Sequence, residues 1–329
     1  MRPLIEVDAG AITENIERLR TLSGLDVIGV VKANGYGHGM EIAAHAMLDG
    51  GAVQLGVAEI SEALRLRAAG IRVPLLAWLH CSNPDFAAAQ AAGIEVGISS
   101  LVQLEAAAAV GGVRVHLKFD TGLGRNGVPA ADWAAVIDRA AQLQADGAIR
   151  VVGVMSHLAG TSDDADDIQR ERFFVVTAAT ADLEPESTHL CASGGLLGTV
   201  VGTRARPGIS AYGLHPNGAD AAGDDARGLG IRPALRLSAP VESGRLAFGW
   251  RHGLLPAQEA AVLVDGRRVR IAEPGREISK LAEPVTGTAV LIGSGTDGEP
   301  TAGEWAGWSG TIGYEVVTRL AADIERRRR

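Results

Sequence analysis

The chain has 329 residues, 47% of them apolar, and a net charge of −8, which is enough for one large barrel plus a smaller domain and argues against nucleic acid as the main partner. No apolar run approaches the roughly 20 residues that span a bilayer, and the N-terminus lacks a basic region followed by an apolar one, so a cytoplasmic protein away from membranes is expected. The two cysteines, Cys81 and Cys191, lie far apart in apolar surroundings, and neither a disulfide framework nor a metal site is indicated.

In chain order, Leu4 to Val7 reads as a short strand, and Asp8 starts a helical pattern with Ile12, Ile16 and Leu19 on one face. Val27 to Val31 then runs straight into Lys32, as expected of a strand buried on both faces, and Gly35, Gly37 and Gly39 free the backbone for a tight turn before a helix. A lysine at such a strand end is desolvated, which favours the neutral amine that forms Schiff bases with aldehydes; the alternative is a lysine that snorkels into solvent. The alternation of strand and alanine-rich helix repeats. Strands are expected at Gln54 to Ala58, Val73 to Leu79, Ile94 to Ile98, Val113 to Phe119, Arg150 to Met155, Thr188 to Cys191 and Thr203 to Arg206. Eight such units fit a TIM (β/α)8 barrel over residues 8–216, in the α/β class.

A segment rich in glycine, alanine and aspartate, 217–230, reads as a linker. Beyond it, Ala234 to Val241, Glu259 to Val264, Arg267 to Ile271 and Thr288 to Ile292 read as strands of a small β-domain, 231–329, to which residues 1–7 could add a strand. Asp265-Gly266 between two of them is a hairpin signal. The closing run Arg326 to Arg329 is expected to end a helix and to complement its C-terminal dipole in solvent.

In a barrel of this kind chemistry belongs at the C-terminal ends of the strands. Lys32 stands there after the first strand, and Lys118, Asp120 and Arg125 at or after the fifth. His157 ends the sixth, Ser193 the seventh and Arg206 the eighth, just before Pro207 and Gly208. Each has a structural alternative when taken alone, but all fall at one end of the barrel.

The stretch VVKANGYGHG resembles the lysine motif of the alanine racemase family of pyridoxal-phosphate (PLP) enzymes, with glycine at Gly35 where the family commonly has alanine. VAEISEALRLRAAGI, HLKFDTGLGRNG, GVMSHLAG, RARPGISAYG and GTIGYEVVTRL resemble further segments of that family, in the same order. The resemblance implies that Lys32 carries PLP and acts as one catalytic base, that Tyr36 and Tyr314 reach the cofactor phosphate, and that Ser193 binds it with the backbone NH groups of Gly208 and Ile209. It further implies that Arg125 holds the pyridine ring oxygen and the substrate carboxylate, and that Arg206, supported by His157, faces the pyridine nitrogen. Lys118 matches a lysine that is carbamylated in many members; the alternative is a plain salt bridge with Asp120 or another carboxylate. Arginine cannot accept the proton that a carboxylate would keep on the ring nitrogen, so the electron sink is weakened, which suits racemisation better than transamination. The implied reaction converts L-alanine to D-alanine, a peptidoglycan precursor, in a homodimer acting on a small amino acid.

The chain also departs from the family. Ala192 stands where asparagine commonly precedes the phosphate-binding serine. Racemisation through a planar intermediate normally takes acid/base groups on both faces, and in the family a tyrosine of the second domain, in a segment like IGYADG, covers the second. Here the nearest match is FGWRHG, with Trp250 at that place, and the chain's three tyrosines, Tyr36, Tyr212 and Tyr314, match other family positions. No methionine follows Met155, so the family's neighbouring methionine motif is absent as well. His252, or a water, is the replacement acid if racemisation survives. The alternatives are one-sided PLP chemistry on another amino acid and a PLP-binding protein without turnover.

Overall fold

A computed structural model describes residues 2–216 and 229–329. The segment read as a linker therefore lies outside the described residues except for Leu229 and Gly230. The chain divides into two compact units, one of Leu19–Lys32 and Ala52–Pro207, the other of Met1–Arg18, Ala33–Gly51 and Gly208–Arg329.

The first unit is the barrel. Its strands are β2 (Asp26–Val30), β3 (Gln54–Val57), β4 (Leu75–Ala77), β5 (Ile94–Ile98), β6 (Val113–Lys118), β7 (Ile149–Met155), β8 (Ser187–His189) and β9 (Arg204–Ala205). They pair in parallel in the order β8-β7-β6-β5-β4-β3-β2-β9. Single bridges between Ala192 and Arg206 and between His189 and Gly202 link the two outer strands and nearly close the ring. Each strand overlaps one of the eight stretches expected from sequence, although β4, β8 and β9 are shorter and β2, β7 and β8 each begin one residue earlier. Their near-continuous burial follows from helices on the outer face and packed side chains inside. Ser100 and Ser162 cap the helices Leu101–Val110 and Asp163–Ala179, and Asp163, Asp164 and Asp166 complement the dipole of the second. Cys191 is buried, whereas Cys81, expected in apolar surroundings as well, is exposed in the loop after β4.

The second unit holds a mostly antiparallel sheet of β1 (Leu4–Val7), β10 (Leu235–Glu242), β11 (Arg245–Leu246), β12 (Ala261–Val264), β13 (Arg267–Glu273), β14 (Ser279–Leu281), β15 (Gly287–Ile292) and β16 (Glu325–Arg328). β1 pairs antiparallel with β10 and parallel with β16. Between β12 and β13, Asp265 and Gly266 take φ of 46° and 74°, the left-handed pair that a two-residue hairpin turn requires. The arginine run does not end a helix. The last helix stops at Thr318, and Glu325–Arg328 forms edge strand β16 beside β1, where pairing overrides local helix preference. Charged side chains there protect an open sheet edge, and the Arg326 guanidinium turns back to donate to the carbonyls of Gly37, Ala321 and Ile324.

The turn after Lys32 is tighter than its glycines alone indicate. Ala33, Asn34, Gly35 and Tyr36 all have left-handed φ, between 50° and 62°, although only one is glycine. Each non-glycine residue so placed costs on the order of 1–2 kcal/mol, which surrounding contacts must offset. Asn34 helps by accepting from the Met40 N–H at 3.1 Å, and Gly37 by lying so close to the Val317 carbonyl that a Cβ would fall 2.0 Å from its oxygen. Gly37→Ala, at φ 82°, should therefore destabilise the protein by about 3 kcal/mol, read as a lowered urea midpoint.

Candidate active site

At the C-terminal end of the barrel strands the structure gathers four cationic side chains. Lys32 follows β2 half-buried, and its pKa is lowered by burial and by the nearby Arg125 charge, with Glu62 acting in the opposite sense. Lys118, the last residue of β6, is only 3% exposed. Burial, helped by the charges of Arg206, Arg125 and Lys32, brings its pKa down to about 7. Its Nζ lies 2.5 Å from Asn126 Oδ1, which also receives the Ser99 hydroxyl at 2.9 Å. The sequence-level alternative of an ion pair with Asp120 is not found among the described residues. Instead, Asp120 Oδ1 accepts the backbone N–H groups of Gly122 and Gly124 and shapes the loop that carries Arg125. Arg125 itself is exposed.

Arg206, 3% exposed, is anchored at the barrel's closure. Its Nη1 donates to His189 Nδ1 at 2.7 Å and to the His189 carbonyl, and its Nη2 to the carbonyls of Ser156 at 2.6 Å and Leu190 at 3.1 Å. Among the described residues this leaves Nε–H as the guanidinium donor that the protein does not use. Burial lowers the Arg206 pKa to about 10, still cationic at neutral pH. The expected support from His157 is taken by His189 instead. His157 is half-buried, and burial together with the charges of Arg206, Arg125, Lys118 and Lys32 holds its pKa well below the ordinary histidine value. His189 was missed because its place inside a short strand resembles that of a structural residue; the signal was a histidine in a strand buried on both faces. Ser193, buried, opens the 3₁₀ turn Gly194–Leu197 after β8.

The remaining candidates belong to the other unit. Tyr36 packs against Tyr212 and Tyr314 with ring centroids 5.0 and 5.1 Å apart, and His38 lies 4.5 Å from Tyr212. Gly208 precedes the 3₁₀ turn Ile209–Tyr212, and a Cβ there would fall 2.2 Å from the Tyr36 hydroxyl oxygen, so only glycine leaves that hydroxyl its place. Trp250 and His252 share the 3₁₀ turn Trp250–His252. The indole is 55% exposed, while His252 stacks on Phe248 and accepts the Gly249 N–H through Nδ1 at 3.1 Å. Burial and the Arg251 charge lower the His252 pKa, opposed by Asp323 and Glu277.

A family model described as the alanine racemase N-terminal domain matches residues 7–216. The alanine racemase of Mycolicibacterium smegmatis is 42% identical over 369 aligned positions that cover 97% of this chain and 93% of its own. That alignment is longer than the chain's 329 residues, so the relative carries segments that this chain lacks. The crystal structure of alanine racemase from D-cycloserine-producing Streptomyces lavendulae matches with a TM-score of 0.91 at 29% identity, covering 100% of this chain and 97% of that one. Alanine racemase from Streptomyces coelicolor A3(2) matches with a TM-score of 0.91 at 30% identity, covering 99% and 98%. With its barrel, its strand-end lysine and a relative of this identity along nearly its whole length, the chain belongs to the alanine racemase family.

Proposed function

We propose that the protein is a PLP-dependent racemase of a small amino acid, alanine foremost, working as a homodimer, with Lys32 as cofactor lysine and one catalytic base. The observation that carries this reading is the Lys32 amine at the end of β2, its pKa lowered by burial and by Arg125. The chain's residues fit the cofactor chemically. Donor-only groups at the barrel mouth suit its oxygens, the Nε–H of Arg206 suits an unprotonated ring nitrogen, and glycine at 208 clears the Tyr36 hydroxyl. Following the family pattern, the phosphate would be held by Tyr36, Ser193, Gly208, Ile209 and Tyr314. Residues 8–216 would form the cofactor domain and 231–329, with the N-terminal strand, the second domain.

When bound, PLP supplies a conjugated ring that takes up the electron pair left behind as the substrate α-proton departs. Lys32, as a neutral amine, takes that proton on its face of the substrate and returns it. Arg125 holds the substrate carboxylate. Arg206, permanently charged, disfavours a proton on the ring nitrogen and so limits how long the electron pair rests there. The second face falls to His252, whose Nδ1 is occupied by Gly249, or to water.

A second reading, one-sided chemistry on another amino acid or cofactor binding without turnover, draws on a specific observation. The chain's three tyrosines pack together in one cluster, and the FGWRHG segment offers an indole, which has no useful basicity. Proton NMR of the PLP-loaded protein with L-alanine in heavy water, followed by chiral analysis, separates the readings. Loss of the α-proton signal with D-alanine formed is the expected result. Exchange with retained L configuration indicates one-sided chemistry, and no exchange removes alanine as substrate. His252→Ala should lower kcat about 100-fold or more if His252 serves the second face, whereas an unchanged rate assigns that face to water.

Lys118 is proposed to be carbamylated, which would let its new negative charge position Arg125. The neutral amine attacks carbon dioxide, a C–N bond forms, and the displaced proton leaves to solvent. With a pKa of about 7, a large share of Lys118 is neutral at physiological pH. Carbon-13 NMR in labelled bicarbonate should show a carbamate signal that is absent in Lys118→Ala. It should weaken as pH falls below about 7, because protonation removes the nucleophile.

A further inference from the structure

Behind Arg206 runs a chain of buried polar side chains that the proposed reaction does not use. His189, His116 and Glu95 are 0%, 0% and 5% exposed. Arg206 Nη1 meets His189 Nδ1 at 2.7 Å, His189 Nε2 meets His116 Nδ1 at 2.8 Å, and His116 Nε2 meets Glu95 Oε2 at 2.8 Å. The side chains enter from β8, β6 and β5, and Gly153 on β7 makes room for the His116 ring, since a Cβ there would fall 2.0 Å from His116 Nδ1.

Hydrogen-bond direction along this chain is settled by its two ends. A guanidinium only donates, so His189 Nδ1 must accept and its proton must sit on Nε2. That proton points at His116 Nδ1, which must accept in turn, so the His116 proton also sits on Nε2 and points at Glu95. A carboxylate only accepts and completes the sequence. Glu95 is held in that form. Burial alone would raise its pKa, but the hydrogen bonds from His116 and Arg114 and the Arg114 charge outweigh this and hold it below the ordinary carboxylate range. Its oxygens also receive Arg114 Nε and Nη2 at 3.1 and 2.9 Å and Gln54 Nε2 at 2.7 Å. A proton on Nδ1 of either ring would set donor against donor somewhere along the line.

We propose that Glu95 is a positioning residue for Arg206, acting through His116 and His189: it holds both imidazoles as Nε2–H tautomers and so keeps an acceptor facing the guanidinium. Glu95 touches neither substrate nor cofactor. Its effect is to pin Arg206 so that Nε–H alone remains for the ring nitrogen, and in this respect the inference rests on the racemase reading above.

Replacing the carboxylate by an amide makes the idea testable. In Glu95→Gln the amide oxygen is drawn to Arg114, which can only donate, so the amide NH2 takes the place of the oxygen that accepted from His116 Nε2 and Gln54 Nε2, and the Gln54 amide must turn away. The His116 proton then moves to Nδ1, the His189 proton follows, and His189 Nδ1–H opposes Arg206. Long-range proton–nitrogen NMR of the PLP-loaded protein, labelled with nitrogen-15 in histidine and arginine, reads this directly. The unaltered protein should show Nε2–H tautomers at His116 and His189 and slowly exchanging Arg206 guanidinium signals. Glu95→Gln should show Nδ1–H tautomers, broadened Arg206 signals and a kcat lowered about 100-fold with KM nearly unchanged. Glu95→Asp, which keeps the charge, should retain the original tautomers. In a His189→Gln background, where an amide oxygen accepts from Arg206 regardless of His116, adding Glu95→Gln should leave the Arg206 signals as they are. An Nδ1–H tautomer at either ring in the unaltered protein, or unchanged tautomers and Arg206 signals in Glu95→Gln, would overturn the proposal. Tautomers as expected in a protein that does not racemise alanine would uphold the positioning role and count against the racemase reading alone.

Discussion

A single buried guanidinium ties the barrel together at the point where it must close. The backbone N–H of Arg206 donates to the Cys191 carbonyl at 2.8 Å, and its side chain donates to carbonyls of Ser156, His189 and Leu190, so one residue links the ends of β7, β8 and β9. Without Arg206 the carbonyls of Ser156 and Leu190 would lose the donor that meets them, at about 1–3 kcal/mol each, while the His189 carbonyl would keep the Ser156 N–H. The same anchoring aims the charge. A guanidinium spent on main-chain acceptors cannot swing away from the barrel mouth, and it keeps its proton where a carboxylate would have invited one onto a neighbouring ring nitrogen.

From that charge follows the behaviour of its neighbours. Arg206 and Arg125 act on Lys118 and His157, and Arg125 acts on Lys32, so burial and cation repulsion push in one direction. The result is a site in which burial and neighbouring cations favour the neutral forms of Lys32, Lys118 and His157, while Arg206 keeps its charge. In water the same groups would interact weakly; at a mouth walled by buried strands the field is much less screened.

Much of the barrel was legible because its signals are local: an apolar run, a break and a helix, repeated from β2 to β7, with 3₁₀ turns after β8 and β9. The strand-end lysine and the Asp265-Gly266 hairpin were legible for the same reason. What escaped depends on contacts between distant residues. The left-handed backbone at Ala33, Asn34 and Tyr36 is tolerated because of the packing around the turn, and nothing in those side chain types requires it. The arginine run became an edge strand because β1, more than 300 residues earlier, offered it a partner. The line from Glu95 through His116 and His189 to Arg206 joins four strands, and each member alone reads as an ordinary polar residue in an apolar run. His157 matched the family pattern by its place after a strand, yet the hydrogen bond to Arg206 comes from the next strand over.

The central claim is that Arg206 keeps the ring nitrogen of a lysine-bound cofactor unprotonated. Loading the protein with PLP labelled with nitrogen-15 in its pyridine ring and recording the nitrogen chemical shift tests it most directly. A shift characteristic of the unprotonated ring, unchanged between pH 6 and 9 and moved toward the protonated value in Arg206→Glu, is the expected result. A protonated ring nitrogen in the unaltered protein, or failure of the labelled cofactor to attach at Lys32, would contradict the account.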